Sequence, residues 1–380
     1  MRERNLGIAS NSKSLPNVHM DHTEQGWVFN GSSVNRLWEK SALGRILDNG
    51  QLILSSAELL FCINHRNISP PNQDWLAKSV THESGLLEEA AVLEALRVPG
   101  NRVIIGENIA LLGFNSASGS WALRWPSNKH PKSDLPESEI IYFHSEDKFN
   151  ENELYEWCKE VTELDRIAEV LVVDEEQSVV TYRLNIADIK GNMGSIDLSL
   201  FKKIVEMDHK NTASGGAFFP NAIDWPLETV GIPLHGGRQV DFTELNIIHS
   251  LGNYEAELDL ESSPLTLEKA SKIGLSMSSN LLLDLWGRGL NTRSGFKYGT
   301  SWRCYPGGVG EGHAPWLVID PYSKKREYST EDWSDACLSS RLAAGVNKRW
   351  AYPLRLDGAW KFLEVSRPPS DSRWANPTRK

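Results

Sequence analysis

Two strand pairs of similar pattern constrain the fold of this chain more than any other feature of its sequence. IAEVLVVDEEQSVVTYRLN, residues 167–185, is typical of a hairpin with an acidic turn, DEEQ. KRWAYPLRLDGAWKFLEVSR, residues 348–367, is typical of two strands joined at Asp357-Gly358, a dipeptide that favours the tight turn of a hairpin. Each segment therefore predicts two adjacent antiparallel strands.

The sequence around these hairpins also repeats. Aligned by hand, LDRIAEVLVVDEEQSVVTYRL lies against NKRWAYPLRLDGAWKFLEV, and WALRWPS lies against SWRCYPG. In this alignment Trp125 is opposite Tyr305 and Asp165 is opposite Lys348. We interpret the similarity as a diverged internal duplication in which only the second copy keeps reactive groups.

Length and composition fit a protein with more than one core. With 380 residues, 40% of them hydrophobic, the chain is long enough for two or three domains. No apolar run approaches the ~20 residues of a membrane helix, and residues 1–24 lack the apolar stretch of a secretion signal. The four cysteines form no CxxC motif, which indicates a reducing, cytoplasmic compartment and no zinc ribbon.

The charge is distributed unevenly along the chain. Residues 281–380 contain 16 Lys and Arg against 10 Asp and Glu, although the whole chain has a formal net charge of −10. A basic segment of this kind fits a polyanionic partner, while the acidic remainder stays solvated or meets a basic surface of another subunit.

A glycine-rich loop separates two residues that can transfer protons. KYGTSWRCYPGGVGEGHAPWLVID, residues 297–320, places Tyr305 and His313 on either side of this loop, with strand-like sequence on both flanks. No Lys-Ser or Lys-Thr follows the glycines, which argues against a phosphate loop or a dinucleotide-binding fingerprint. Lys348 begins the last hairpin, after a helix for which Ser329 or Thr330 is the expected N-cap. Taken singly, the histidine fits a structural residue and the lysine a solvated one.

Together, a phenol, an imidazole and an ammonium at the ends of neighbouring strands suit the cleavage of RNA without a metal ion. This reaction removes the proton of a ribose 2′-hydroxyl, gives a proton to the departing 5′-oxygen and needs a cation beside the extra charge on phosphorus. Histidine titrates near neutral pH and suits the acid, and lysine suits the cation. Tyrosine, with an ordinary pKa of ~10, is a poor base unless nearby cations lower its pKa.

The combined motif LWGRGLNTRSGFKYGTSWRCYPG…GHAPWLV…SSRLAAGVNKRW resembles the catalytic repeat of archaeal tRNA-splicing endonucleases. The resemblance is close over residues 283–367, and the preceding half fits as a degenerate copy. It implies that Tyr305 is the general base, His313 the general acid and Lys348 the group that stabilises the pentavalent phosphorus. It also implies an α/β (α+β) fold of tandem repeats, each an α/β N-terminal module followed by a nuclease-like module with a mixed sheet.

The resemblance extends to residues that contact RNA and a second subunit. Arg341 and Arg367 match arginines that stack on a flipped-out base, although Arg341 also fits a residue that balances the dipole of its helix. Two-repeat members of the family work as homodimers, in which an acidic loop of the inactive repeat enters a basic cleft of the partner. Asp174, Glu175 and Glu176 are the candidates for that loop, and an ordinary solvated turn is the alternative.

The predicted organisation has four parts. A flexible tail (residues 1–24) precedes a degenerate repeat (25–188), which contains an N-terminal module (about 25–80) and a pseudo-catalytic module (about 81–188). A linker or irregular connection (189–240), where the patterning is weak, leads to the catalytic repeat (241–380), whose nuclease module covers about 264–368.

These features predict an endoribonuclease that excises introns from precursor tRNA at bulge–helix–bulge sites and leaves 2′,3′-cyclic phosphate and 5′-hydroxyl ends. We expect a homodimer that requires neither a cofactor nor a metal ion. One alternative is a non-catalytic RNA-binding or structural subunit of a splicing complex. Another is a metal-dependent nuclease, which needs acidic ligands that the C-terminal segment does not offer in the usual pattern.

Overall fold

Helices and strands follow one another along the described part of the chain, which comprises residues 20–23, 26–194, 196–197, 199–254, 267–323 and 330–377 of this computed structural model. The first elements are strands β1 (Met20–Thr23), β2 (Gly26–Phe29), β3 (Arg45–Ile46) and β4 (Leu52–Leu54), and helices α1 (Val34–Ser41), α2 (Ser56–Arg66), α3 (Trp75–His82) and α4 (Leu86–Arg97). Next come strands β5 (Arg102–Ile105), β6 (Ala122–Trp125), β7 (Ser138–His144), β8 (Ile167–Val173) and β9 (Val179–Ile186), and helices α5 (Asn108–Leu111) and α6 (Glu151–Glu163).

The second half follows the same succession. It begins with strands β10 (Lys210–Asn211), β11 (Ala217–Pro220), β12 (Ile232–Leu234) and β13 (Gly237–Val240), and helices α7 (Ser199–Val205), α8 (Phe242–Gly252), α9 (Leu267–Lys272) and α10 (Met277–Gly287). It continues with strands β14 (Asn291–Ser294), β15 (Trp302–Tyr305), β16 (Trp316–Val318), β17 (Arg349–Leu356) and β18 (Ala359–Ser366), and helix α11 (Trp333–Gly345). Short 3-10 helices lie at Phe296–Tyr298 and Ser370–Ser372.

One mixed sheet of ten strands runs through both halves, in the order β14-β15-β16-β17-β18-β9-β8-β7-β6-β5. Neighbouring strands are antiparallel except for one parallel pair in each half, β16–β17 and β7–β8. β9 and β18 pair antiparallel, with Leu184 opposite Val365, and this pairing joins the halves. The two predicted hairpins are confirmed as β8–β9 and β17–β18, and the predicted mixed α/β (α+β) class is confirmed as well.

Two helices cover one face of this sheet where the halves meet. α6 and α11 pack over a shared core that contains Tyr182 of the first half and Trp350 of the second. Phe143 stacks on Trp333, with 4.9 Å between ring centroids, so aromatic packing crosses the boundary between the halves. On the opposite face each half has its own core, built around α2 and α4 in the first and around α8 and α10 in the second. In the described ranges, no helix is long and apolar enough to span a bilayer.

Two smaller sheets of four strands share one design. Their orders are β1-β2-β4-β3 and β10-β11-β13-β12, and their strands are antiparallel throughout. The helix that follows each sheet, α2 or α8, begins with a capping box, formed by Ser55 and Glu58 in one half and by Asp241 and Glu244 in the other. Each box satisfies backbone N–H groups that a helix start otherwise leaves without partners.

Residues 189–240 differ from the linker or irregular connection predicted there. They contain α7 and the strands β10 to β13, and buried side chains such as Phe201, Phe219 and Val240 belong to the core of the second half. The expectation therefore does not hold for these residues. The strands are only two to four residues long, which is too short for the alternation of apolar and polar residues that identifies a strand in a sequence.

The chain between the halves is held against the strand that ends in Tyr305. Backbone N–H groups of Gly191 and Met193 donate to the carbonyl oxygens of Arg288 and Gly289, both at 2.9 Å, and that of Asn192 donates to Pro306 O at 2.5 Å. A Cβ atom on Gly191 would lie 2.0 Å from Gly289 O and 3.0 Å from Pro306 O. Only glycine allows so close a backbone approach.

Candidate active site

Helix α11 delivers Lys348 to the end of the large sheet. Its N-cap is Asp332, whose carboxylate accepts from Asp335 N at 2.9 Å, so neither predicted cap is used; Thr330 precedes the helix, and Ser329 lies outside the described residues. After the helix, Asn347 takes a left-handed conformation (φ 54°), and Lys348 N donates to Ala343 O at 2.9 Å. The chain therefore turns sharply, and Lys348 is the residue immediately before β17.

Strand register places Tyr305 and Lys348 at the same end of the sheet. Cys304 is opposite Trp316, and Trp316 is opposite Arg349. One residue further, the row contains Tyr305, Pro315 and Lys348, because β15 runs against β16 whereas β17 runs along it. Arg349 N donates to Pro315 O at 2.9 Å, which continues the pairing to this row.

The same register defines the face on which the two side chains lie. Arg303 is opposite Leu317, and Leu317 is opposite Trp350, which is buried beneath α11. Tyr305 and Lys348 are each two residues from a member of this row, and side chains two apart in a strand share a face. Both side chains are therefore on the α11 face of the sheet, beside the end of that helix.

Lys348 also contacts the segment that carries His313. Its Nζ donates to Ala314 O at 2.6 Å, and Ala314 directly follows the histidine. The histidine side chain is exposed at the end of the glycine-rich loop, while Tyr305 and Lys348 are half-buried. The structure thus brings Tyr305, Lys348 and the backbone beside His313 to one sheet end.

Two further residues at this end were missed in the sequence. Lys348 Nζ lies 5.6 Å from the centroid of the Tyr298 ring, and the guanidinium carbon of Arg303 lies 5.8 Å from the centroids of both Tyr298 and Tyr305. The sequence held one usable signal, since Arg303 is two residues before Tyr305 in a predicted strand and hence on its face. The contacts of Tyr298 cross from a 3-10 turn to two strands, and no local pattern encodes them.

A cavity of about 280 Å³ lies between the last turn of α11 and the ends of β17 and β18. Lys348, Arg349 and Arg367 contribute positive charge to its lining, and Glu364 contributes negative charge. Arg349 is held by Glu364, with 3.4 Å between Nη1 and Oε2. Among the residues that the structure describes, no group of three or more His, Cys, Asp or Glu could hold a metal ion.

Arg341 of α11 and Arg367, which directly follows β18, both act electrostatically on Tyr182. Burial raises the pKa of the Tyr182 phenol, Cys337 raises it further, and the positive charges of Arg367 and Arg341 act in the opposite direction. Both arginines are therefore within electrostatic reach of one hydroxyl, and both are exposed. Arg367 lines the cavity that contains Lys348, whereas Arg341 is on the helix above it.

The acidic turn between β8 and β9 lies towards the same end of the sheet as Lys348. Asp174 shapes the turn, because its Oδ1 accepts from Glu176 N at 3.0 Å and from Ser178 N at 2.7 Å. Glu175 and Glu176 are exposed. The C-terminal segment reaches this turn, where Asn376 Nδ2 donates to Gln177 O at 2.5 Å.

In the first half, the position of Lys348 is taken by Arg166. Asp165 has the left-handed conformation (φ 56°) that Asn347 has before Lys348, and Arg166 N donates to Val161 O at 3.2 Å in the same pattern. The hand alignment of Asp165 with Lys348 is therefore wrong by one residue. The sequence held a signal for the correct alignment, because Asp165 and Asn347 are both residue types that tolerate the left-handed conformation at a helix end.

The counterpart site in the first half is closed. Arg166 Nη1 is paired with the buried Glu139 at 2.6 Å, and the carboxylate also accepts from Ala117 N at 2.9 Å. Trp125 remains opposite Tyr305, since each ends the second strand of its half, but Trp125 is fully buried. Arg166 is already paired with a carboxylate and the Trp125 indole is inside the core, so neither side chain is available to bind a phosphate.

The candidate site coincides with a match to a known family. The family described as tRNA intron endonuclease, catalytic C-terminal domain, matches residues 279–357, from within α10 to the turn after β17. The resemblance to tRNA-splicing endonucleases is confirmed. The tRNA intron endonuclease segment contains Tyr305, His313, Lys348 and Arg341, whereas Arg367 and the acidic turn lie outside it.

Two curated proteins named tRNA-splicing endonuclease are similar to the chain. The protein of Picrophilus torridus is 27% identical over 204 residues, which cover 52% of this chain and 55% of the relative. The protein of Thermoplasma volcanium is 26% identical over 195 residues, which cover 51% of this chain and 53% of the relative. The chain thus spans about half the length of the curated relatives it matches.

Proposed function

We propose that this protein is an endoribonuclease that excises introns from precursor tRNA, by cutting at bulge–helix–bulge sites. The observation that carries the proposal is the row of Tyr305, Pro315 and Lys348 at one sheet end, with Lys348 bonded to the carbonyl beside His313. This row lies inside the segment that matches the tRNA intron endonuclease family, and the two similar archaeal proteins are named tRNA-splicing endonucleases.

In the proposed reaction each of the three groups has one task. Tyr305, in its deprotonated form, takes the proton of the 2′-hydroxyl, and that oxygen attacks the adjacent phosphorus. Lys348 supports the additional negative charge on the phosphorane oxygens. His313 gives a proton to the departing 5′-oxygen, so the products are a 2′,3′-cyclic phosphate and a 5′-hydroxyl. The exposed position of the imidazole leaves it accessible to a leaving group that approaches from solvent.

Arg341 and Arg367 are proposed to bind the substrate. Both are exposed, both act on the same tyrosine, and Arg367 lines the cavity beside Lys348. Guanidinium planes stack well on unpaired bases, and unstacked bases are the usual target of sequence-specific RNA recognition. A bulge in precursor tRNA supplies such bases.

The proposal includes a homodimer in the cytoplasm. The site of the first half is closed by Glu139 and Trp125, so one chain offers a single row of reactive groups, whereas removal of an intron requires two cuts. Glu175 and Glu176 project from the acidic turn and are the proposed contact with a basic cleft of the second copy. Asp174 supports them by shaping the turn.

The two halves are proposed to descend from one duplicated unit. What supports this is the shared strand order of the small sheets, the matching run of orientations in the large sheet and the two capping boxes at corresponding helices. In this interpretation the first half is the degenerate repeat, and residues 199–240 belong to the N-terminal module of the catalytic repeat.

The test is cleavage of an intron-containing precursor tRNA by the purified full chain in excess chelator. We expect the wild-type chain to make two cuts, one at each bulge. Single-turnover rates should be at least about 10²-fold lower for Lys348→Ala and His313→Ala, because removing one group that stabilises charge in a transition state typically costs this much. Lys361→Ala, which removes an exposed lysine elsewhere on β18, is the matched control and should cut at the wild-type rate. An RNA with 2′-deoxynucleotides at the cut positions should bind all variants.

Three outcomes would contradict the proposal. Undiminished cleavage by Lys348→Ala would remove the cation from the reaction. Binding without any cleavage by the wild-type chain would favour a non-catalytic RNA-binding subunit. Loss of cleavage in chelator, restored by magnesium, would favour a metal-dependent nuclease.

A further inference from the structure

Arg303 is a second cation beside the tyrosine of the candidate site. Its guanidinium carbon is 5.8 Å from the ring centroid of Tyr305 and 5.8 Å from that of Tyr298. The backbone fixes this place, because Arg303 is in β15, opposite Arg293 on one side and Leu317 on the other. Arg303 is half-buried, so its charged end lies close to the rings and still reaches solvent.

The hydrogen bonds of this guanidinium leave its outer edge available. Nε donates to Ser294 O at 2.8 Å, and neither Nη atom has an acceptor among the described residues. The neighbouring Arg293 is different, since its Nη1 donates to the carbonyl oxygens of Thr229 and Thr292. Arg349, a third arginine near this sheet end, is paired with Glu364.

Two cations lie near the ring of Tyr298, at the sheet end that contains Tyr305 and Lys348. The ring of Tyr298 lies 5.6 Å from Lys348 Nζ and 5.8 Å from the Arg303 guanidinium, so both cations approach the same ring. Arginine presents two parallel N–H donors to a phosphate, whereas lysine acts as a point charge. A guanidinium held at Nε and open at both Nη atoms has the geometry that bidentate binding requires.

We propose that Arg303 binds the non-bridging oxygens of the phosphate that is cut, opposite Lys348. This inference rests on the proposed function, and it adds a residue to the reaction. The two cations share the charge of the phosphorane, with Arg303 on the side of Tyr305 and Lys348 on the side of the His313 segment. Tyr298 is a positioning residue, since its ring contacts both cations.

The experiment compares Arg303→Ala, Arg303→Lys and the control Lys361→Ala in the full chain. With cleavable precursor tRNA, we expect a single-turnover rate about 10²-fold lower for Arg303→Ala. Arg303→Lys should have an intermediate rate, because lysine keeps the positive charge but cannot offer two parallel N–H donors. Thermal unfolding of each variant shows whether the fold is intact. Sulfur substitution of a non-bridging oxygen should slow the wild type more than Arg303→Ala, which a purely structural role would not produce.

A second measurement does not depend on cleavage. Binding of an RNA with 2′-deoxynucleotides at the cut positions is measured as a function of salt concentration, and the slope of log Kd against log salt should fall by about one for Arg303→Ala. An unchanged slope, or cleavage within twofold of wild type by Arg303→Ala, would overturn the proposal. A wild-type chain that binds but does not cut would refute the endonuclease, and the slope would still decide whether Arg303 contacts phosphate.

Discussion

The change of Gly191 to alanine tests how the connection between the halves supports the site. The added Cβ would lie 2.0 Å from Gly289 O, closer than real contacts permit, and the obstacle is backbone on both sides, which cannot rotate away. Relief requires the segment to move, which breaks the hydrogen bonds of Asn192 to Pro306 and of Met193 to Gly289. Two such bonds contribute about 1 kcal/mol each, and overpacking strain costs about 1 kcal/mol or more, so we expect a loss of about 3 kcal/mol.

The measurement is the urea unfolding midpoint of Gly191→Ala beside that of Gly194→Ala. Gly194 belongs to the same segment, and a Cβ there would meet nothing within 4 Å, so this control should unfold like the wild type. Because Pro306 follows Tyr305 directly, the Gly191 variant should also cut precursor tRNA more slowly under native conditions. Equal midpoints for the two variants would refute the reasoning, since they would show that the close approach carries no constraint.

Two further predictions concern buried charge in the first half. Burial and, to a smaller extent, the negative charge of Glu58 raise the pKa of Glu89 from its ordinary value of 4.5 to about 7. Between these two pH values the folded protein therefore holds a proton that the unfolded chain releases. The free energy of unfolding therefore falls as the pH rises through this window. Glu89→Gln should be more stable than wild type at pH ~8, by up to about 3 kcal/mol, and should show no gain below pH ~4.5. Urea unfolding of both proteins at several pH values measures this difference. Arg124 is buried and donates to the buried Glu169, with 2.8 Å between Nε and Oε2. Arg124→Met should lower the free energy of unfolding by about 3 to 5 kcal/mol, because the buried carboxylate loses a positive charge beside it. A variant that also carries Glu169→Gln should recover part of this stability.

The fold could be predicted where local signals are strong. At the β17–β18 turn, Asp357 (φ 50°) and Gly358 (φ 77°) both take left-handed conformations, which the Asp-Gly pair accommodates, and the hairpin was predicted correctly. The small sheet of the second half gave no such signal. Gly216, just before β11, and Gly237, the first residue of β13, lie where a Cβ would come within 2.2 Å and 2.1 Å of a carbonyl oxygen, so the backbone approaches too closely there for any other residue.

The candidate site could be predicted in part for a related reason. Tyr305 ends β15 and Lys348 directly precedes β17, while His313 lies in the loop before β16, and this order of elements is visible in the sequence. The contacts of Arg303 and Tyr298 join different elements of the fold, and sequence order does not contain such contacts. The one-residue error at Arg166 has a different origin, because the Asp165 and Asn347 that take the left-handed conformation at the two helix ends were not aligned with each other.

The pairing of β9 with β18 has a consequence for anyone who wishes to isolate the segment that matches the endonuclease family. The matched segment ends at Asp357, before β18, and a fragment that ended there would leave β17, eight residues long, as an unpaired edge strand. Even a fragment that kept β18 would lose Tyr182 and Leu184 from the core that contains Trp350, and would expose apolar side chains of that core to solvent. Open strands of this kind associate with one another, so truncation would yield aggregates. The first half therefore supplies both the neighbouring strand and part of the core on which the strands of the second half depend.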